Sequence, residues 1–410
     1  MPRAHAAMEV THLATPAMLA NPHPRYAHLR QSAPVSWAKV PLVLRGSGGY
    51  LLTRFDDVMT LHNDPRFSTD AVKHTSVGKF TWLMPSTIRL LTETMVFKDD
   101  PDHKRLRNLV HKAFTPKFVS TMASDINKIA EELADQIAAK REVDLVHDFA
   151  VRLPLSVIAT MLGVPDEDRD EFHRMVEQLG AGAGKRSAML RNATTARKLI
   201  RLFEQLIEQR RKRPDNGIIS ELVQANESGD KLSDREAVAM VFLLLLAGHD
   251  TTANLIGNSV LALMEHPEQQ AALRAQPELF DTGIEELLRY TSPVACGSTR
   301  IALEDVEIAG TLIPKGKQVL GMITSANRDE AVFDRPDDLD LTRTPNKHLA
   351  FAFGIHYCLG HQLARLEGRT ALTTLLQRFP NWELAGPQSQ LRYKPTVALR
   401  GLTSLPMRMS

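Results

Sequence analysis

The alternation of apolar and polar positions predicts few long elements in the first hundred residues. Residues 1–35 read as irregular and punctuated by proline, with a short helical piece around residues 26–30. Gly49-Tyr50-Leu51-Leu52-Thr53 reads as a strand following a Gly46-Ser47-Gly48-Gly49 turn, and a helix is predicted over 55–62. Residues 69–97 hold neither helical nor strand periodicity and read as the largest irregular insert. Their apolar content (Phe80, Trp82, Leu83, Met84, Met95) suits a lid better than a solvated linker. From about 104 to 276, apolar residues recur at three- and four-residue spacing, so the pattern is overwhelmingly helical. Strands return between about 300 and 318, with a hairpin at Glu307-Ile308-Ala309-Gly310-Thr311 and a turn at Pro314-Lys315-Gly316. A last helix spans about 359–379, before a tail of short strands and loops. No repeat or low-complexity tract interrupts this order. It predicts a mainly α fold with a small β region, one domain over residues 1–410.

One helix stands apart. Ser233-Asp234-Arg235-Glu236 is a capping box and Pro267 marks the end, leaving about 33 residues, or roughly 50 Å of helix. Its first half is apolar all round, as expected of a central buried helix. The run Ala247-Gly248-His249-Asp250-Thr251-Thr252 then breaks the polarity. A carboxylate and two hydroxyls inside a buried helix are costly unless bonded or functional. The plain reading is that the threonines bond back to carbonyls of the preceding turn and bend the helix.

Composition narrows the classes. With 43% hydrophobic and 24% charged residues, 410 residues suffice for a large core, and a net charge of +2 gives no reason to expect a nucleic-acid partner. Two cysteines cannot build a disulfide framework, which suits a reducing cytoplasm. The first residues lack the apolar core of a signal peptide, and the longest apolar run, 237–247, is too short to span a bilayer; no membrane anchor is expected.

The chemistry concentrates at 351–361, Phe-Ala-Phe-Gly-Ile-His-Tyr-Cys-Leu-Gly-His. Gly354 and Gly360 would let the backbone turn around Cys358 and bring N–H groups, together with the start of the next helix, near its sulfur. A thiolate held in that way fits the proximal ligand of a haem iron. Three other readings stay open on these residues alone. Cys358 could be a small buried hydrophobe, a zinc ligand with His356 and His361, or a nucleophile, although no base-orienter pattern points at it.

The spacing Phe-x-x-Gly-x-His-x-Cys-x-Gly resembles the haem-binding loop of the cytochrome P-450 superfamily, the haem-thiolate monooxygenases, and the resemblance runs from about residue 26 to 400. It implies the triangular-prism fold, haem b on Cys358, and Phe351, Gly354, His356 and Gly360 around the cofactor. It also makes Ala-Gly-x-Asp-Thr-Thr the oxygen-activation motif. There Thr251 and Asp250 would relay protons for O–O cleavage beside a helix bulge, Ala247 and Gly248 would line the haem, and Gly248 would leave room for dioxygen. Glu286 and Arg289 of Glu-x-x-Arg would form a buried network with Arg343 that fixes the cysteine loop. His103, Arg107, Arg300 and His356 would bind the haem propionates.

By the same resemblance the substrate pocket draws on Phe80, Trp82 and Leu83 of the lid and on Phe242, Leu243 and Ala247 of the central helix. Val294, Ala295, Cys296 and Gly297 add a further wall, with Thr396, Val397 and Ala398 from the tail; for Cys296 core packing is the favoured role. These are mostly apolar, which implies a hydrophobic small molecule such as a terpenoid, fatty acid or macrolide-like compound. Electrons would come from NAD(P)H through a separate ferredoxin- or flavodoxin-type donor, drawn to a basic patch of Lys104, Arg105, Lys112, Lys117, Arg365 and Arg369. The implied enzyme is a soluble, cytoplasmic monomer. Alternatives are another haem-thiolate outcome (desaturation, coupling, peroxide-driven oxidation) and a non-catalytic haem protein. Ala352 and Glu330 stand where relatives often carry glycine and proline, and small effects on loop geometry are expected.

Overall fold

A computed structural model describes residues 8–39, 48–75, 86–180, 186–215, 217–225 and 230–410. Its axis is the 32-residue helix Asp234–Glu265, opened by the predicted capping box: Ser233 accepts from the Glu236 N–H, and Glu236 accepts from the Ser233 N–H. The helix packs against Arg152–Leu162, Arg186–Lys212, Phe280–Thr291 and His361–Arg378, and its apolar side chains sit in the larger core of the molecule. By length and composition it could cross a membrane, yet most of it is enclosed by protein.

A six-stranded sheet flanks this helical body, in the order Val10–His12, Val35–Lys39, Gly48–Leu52, Gln318–Gly321, Arg300–Ala302, Phe67–Ser68. It closes a second core around Leu52, Phe55, Val319 and Ile323. Val306–Ile308 and Thr311–Ile313 form the predicted hairpin, turned by Ala309 and Gly310, both at positive φ as a tight two-residue turn requires.

Two expectations fail. Over the described residues 8–35 the helical piece expected around 26–30 is present as His23–Ser32, but the rest is not irregular: strand Val10–His12 pairs in parallel with Val35–Lys39, and Pro16–Ala20 is a second helix. A three-residue strand carries no readable alternation, and only its partner makes it a strand. Residues 69–97 are not one irregular loop either. Their described part holds helices Ala71–His74 and Ser86–Leu91 and the turn Met95–Phe97, with Asp70 capping the first. These pieces are shorter than the window in which periodicity can be seen. Phe80, Trp82, Leu83 and Met84 lie outside the described residues, as do Gly46 and Ser47.

Candidate active site

Cys358 lies between the short turn Gly354–His356 and helix His361–Arg378, and its own N–H donates to the Phe351 carbonyl at 2.9 Å. Gly354 is needed twice over. Its φ is +72°, and a Cβ there would fall 3.0 Å from the His62 carbonyl oxygen. Burial pushes the Cys358 thiol up, while the Gly360 N–H and the charges of Arg107 and Arg365 pull the other way. Arg107 also donates to the Tyr357 carbonyl at 2.7 Å, tying helix Asp102–Ala113 to the loop.

Behind the loop, Glu286 and Arg289 form a bidentate pair, both contacts 2.7 Å and both side chains fully enclosed. Arg343 joins at 3.1 Å and Asn346 at 3.0 Å, while Arg289 also donates to the carbonyls of Asn327, Pro336 and Asp338. Each donor thus ties a different part of the meander after Ala326 to one helix, so the pair acts as a fixing point. A second pair, unforeseen in the sequence, lies beside it. Arg365 grips Glu285 at 2.5 and 2.7 Å and lies over the Phe351 ring at 4.4 Å, and His348 shares the same carboxylate.

The four residues expected to bind an anion converge. The rings of His103 and His356 sit 4.3 Å apart, and the charges of Arg300, His103 and Arg107 all act on His356. Burial, then Arg300, holds the His356 imidazole down to about 3, and burial brings Arg300 down to about 10. His103 Nε2 and Arg300 Nε are buried without a partner. Buried donors without acceptors, gathered on one spot, are the chemistry that a cofactor's carboxylates would complete. His62, Asp99, Ser68 and Thr69 belong to the same cluster and carried no sequence signal. Asp99 accepts from Thr69 N–H at 2.9 Å and from Ser68 and Thr69 hydroxyls, and Thr69 reaches His356 at 3.5 Å.

On the central helix, the α-helical pattern runs through 247–252 without a bulge. The Thr251 hydroxyl donates to the Ala247 carbonyl at 2.7 Å, as in the plain reading, and Leu243, Ala247 and Thr251, one turn apart, share a face that is not buried. Gly248 also serves packing: a Cβ on it would meet Ile158 Cδ1 at 2.8 Å, so its missing side chain lets two helices approach. Helix His361–Arg378 crosses just beyond, where Gly368 abuts Leu255 and the Thr252 hydroxyl bonds Glu367. The helix that follows Cys358 and the polar break of the central helix are thereby brought into contact.

The expected substrate wall divides. The segment 294–296 meets the tail, Ala295 N–H donating to the Ala398 carbonyl at 2.9 Å, and Val294, Ala295 and Val397 are half-buried. Cys296 takes the core role favoured for it, and Gly297 and Phe242 face other neighbours. Cys296 is packed among Tyr26, Leu51 and Met322, where burial pushes its thiol up to about 12. Gly297 lies against His62, and Phe242 packs on Phe203. Phe242 faces away because a helix shows only part of its side chains to any one side. The basic patch is also thinner than its sequence suggested, since Arg105, Arg365 and Arg369 are paired with Glu236, Glu285 and Asp281.

A mainly helical body that packs the helix after a loop thiol against a helix carrying an acid and an alcohol, with buried imidazoles and guanidiniums gathered around Arg300, fits the class of haem-thiolate proteins. The Cytochrome P450 family model matches residues 58–400, and the chain belongs to that family. It is 39% identical to the polyketide biosynthesis cytochrome P450 PksS of Bacillus subtilis (strain 168) over 95% of this chain and 96% of that one. It is 41% identical to the vitamin D(3) 25-hydroxylase of Pseudonocardia autotrophica, over 95% and 94% of the two chains. Its fold matches the solved structure of PksS with a TM-score of 0.89, covering 98% and 100% of the two chains at 38% identity. It also matches P450BioI bound to hexadec-9Z-enoic acid ligated acyl carrier protein, at 0.85, 96% and 99%, and 36% identity. The protein is therefore a cytochrome P450 monooxygenase, an oxidoreductase with the P450 fold that uses haem, dioxygen and redox partners.

Proposed function

We propose that this enzyme inserts one atom of dioxygen into a C–H bond of a hydrophobic small molecule of the polyketide, terpenoid or fatty-acid kind. Haem b, held by the Cys358 thiolate, would supply the oxidising chemistry once electrons reach it from NAD(P)H through a ferredoxin- or flavodoxin-type protein. His103, Arg107, Arg300 and His356 would neutralise its carboxylates, and Phe351 with the Arg365 guanidinium over it would back the loop. Thr251 would hold a proton at its hydroxyl and Asp250 would bring protons to it, while Leu243, Val294, Ala295 and Val397 exclude water around the substrate. The chain would act as a one-domain monomer in the cytoplasm.

The observation that carries this reading is the meeting of the helix after Cys358 with the central helix at Thr252 and Glu367, where Thr252 directly follows Asp250 and Thr251 in the chain. An acid–alcohol pair at that place argues for the dioxygen-dependent reaction over the peroxide-driven one. PksS is named for polyketide biosynthesis and the other relative as a vitamin D(3) 25-hydroxylase, which supports the substrate class. The experiment is a spectral-shift screen of purified holoenzyme against macrolide precursors, steroids, terpenoids, free fatty acids and acyl chains on a carrier protein. Hits should be turned over with surrogate redox proteins and the products analysed. A hydroxylated product supports the proposal. An alkene, a coupled product, or no turnover across the whole set overturns it.

A further inference from the structure

Beyond the polar break the central helix carries a ladder: Asp250, Asn254 and Asn258, spaced four apart and so stacked on one face. All three grip the same partner, the hairpin of the C-terminal tail closed by the Tyr393–Leu402 bridge and by the Lys394 N–H bonded to the Gly401 carbonyl at 2.8 Å. Asn258 Nδ2 donates to the Arg400 carbonyl at 2.8 Å. Gly401 lies so close to Asn254 that a Cβ would fall 1.9 Å from its Oδ1. Lys394 Nζ donates to Asp250 Oδ1 at 2.5 Å and to Asn254 Oδ1 at 3.1 Å. The hairpin cannot slide along the helix without breaking several of these contacts, and the ammonium is delivered to the carboxylate by a rigid frame.

Asp250 is therefore turned toward the hairpin, whereas the Thr251 hydroxyl is engaged with Ala247 one turn back. The two groups that the proposed relay joins are not bonded to each other. For the carboxylate to serve Thr251 it must leave the ammonium and change rotamer. Three of the hairpin's residues, Lys394, Thr396 and Val397, border a cavity of about 30 Å³ with Ala295 and Tyr26, and the Thr396 N–H closes back on the Lys394 carbonyl at 2.8 Å. The lysine is thus part of the same tight turn as Thr396 and Val397.

We propose that Lys394 is a positioning residue for proton delivery: it latches the Asp250 carboxylate away from Thr251, so that the acid works only when this ion pair opens. The inference rests on Asp250 being the relay acid, and the test separates the two. Lys394→Met keeps the stem and removes the charge, Lys394→Arg keeps the charge, and Asp250→Asn removes the acid. The first measurement is a double-mutant cycle of unfolding midpoints of the holoenzyme in urea. Lys394→Met should lower the midpoint more in the wild-type background than in Asp250→Asn, where only the bond to Asn254 is left to lose, while equal shifts in both backgrounds overturn the pairing. The second is peroxide formation by the substrate-free holoenzyme with NADPH and a surrogate ferredoxin and reductase, in H2O and D2O. Lys394→Met should change the solvent isotope effect about twofold or more, and Lys394→Arg should restore it. An effect in Asp250→Asn with none in Lys394→Met overturns the latch and spares the relay. No effect in Asp250→Asn overturns both.

Discussion

The Thr252 hydroxyl bonds the carboxyl group of Glu367, joining the central helix to the helix that follows Cys358 at a point sealed from solvent. Burial raises Glu367 to about 8, the hydrogen bond from Thr252 opposing it, and its second oxygen has no partner. At neutral pH this group is mostly the uncharged acid. The folded state then keeps a proton that the unfolded chain, with its carboxyl near 4.5, has released. The contribution to stability is complete below about pH 4.5 and is lost as pH rises toward 8, by up to about 1.4 kcal/mol per pH unit. The difference in urea-unfolding stability between the wild type and Glu367→Gln should follow that slope across pH 5–8, since the buried histidines contribute equally to both.

Removing one side of a buried ion pair leaves the other charge uncompensated, at about 3–5 kcal/mol. Arg289→Ala should cost that much in urea unfolding and should lower the haem content of purified protein, since Glu286 also holds Arg343, Asn346 and the Asp340 N–H. Arg289→Lys should rescue little, because one ammonium cannot reproduce the planar fork that reaches both Glu286 oxygens and three carbonyls.

Ala352 has φ +60°, a left-handed conformation that costs a residue with a side chain roughly 1–2 kcal/mol. Ala352→Gly should therefore stabilise the holoenzyme by about 1 kcal/mol in urea, after the glycine's greater freedom in the unfolded chain is subtracted. The spectrum of the reduced carbon monoxide complex should be unchanged, since no ligand moves. The other departure, Glu330, has a different role: it bonds the buried Arg30 at 2.9 Å and Gln31 at 3.2 Å, which proline could not do.

Gly248→Ala places a methyl group 2.8 Å from the end of the Ile158 side chain, a flexible neighbour that can yield. The expected cost is about 1 kcal/mol of stability, relieved by adding Ile158→Val, with dioxygen-dependent turnover near wild type. Turnover lost without loss of stability would place Gly248 at the dioxygen site.

Thr251→Ala should divert electrons into hydrogen peroxide while haem stays bound, and Thr251→Ser should retain most product formation, because the serine hydroxyl can make the same bond to Ala247. Tight coupling of electrons to product in the alanine variant would remove Thr251 from the relay. Cys358→Ala should abolish the red-shifted band of the reduced carbon monoxide complex.

Sequence alone determined the central helix, its capping box, the cysteine loop, the Glu-x-x-Arg pair and the family, because each is written in a short window with its own spacing. Some of what it suggested was only half right. Helical periodicity placed Phe242 and Gly248 in the central helix but could not say which neighbour each position faces. Tertiary structure alone decided the parallel strand Val10–His12, the Arg365–Glu285 pair and the cluster of His62 and Asp99 with Arg300. It also decided the hold of Lys394 on Asp250, 144 residues apart. These contacts join segments whose separation along the chain carries no signal. They exist because packing the helical body against the sheet leaves buried polar groups that must find partners wherever the fold puts them.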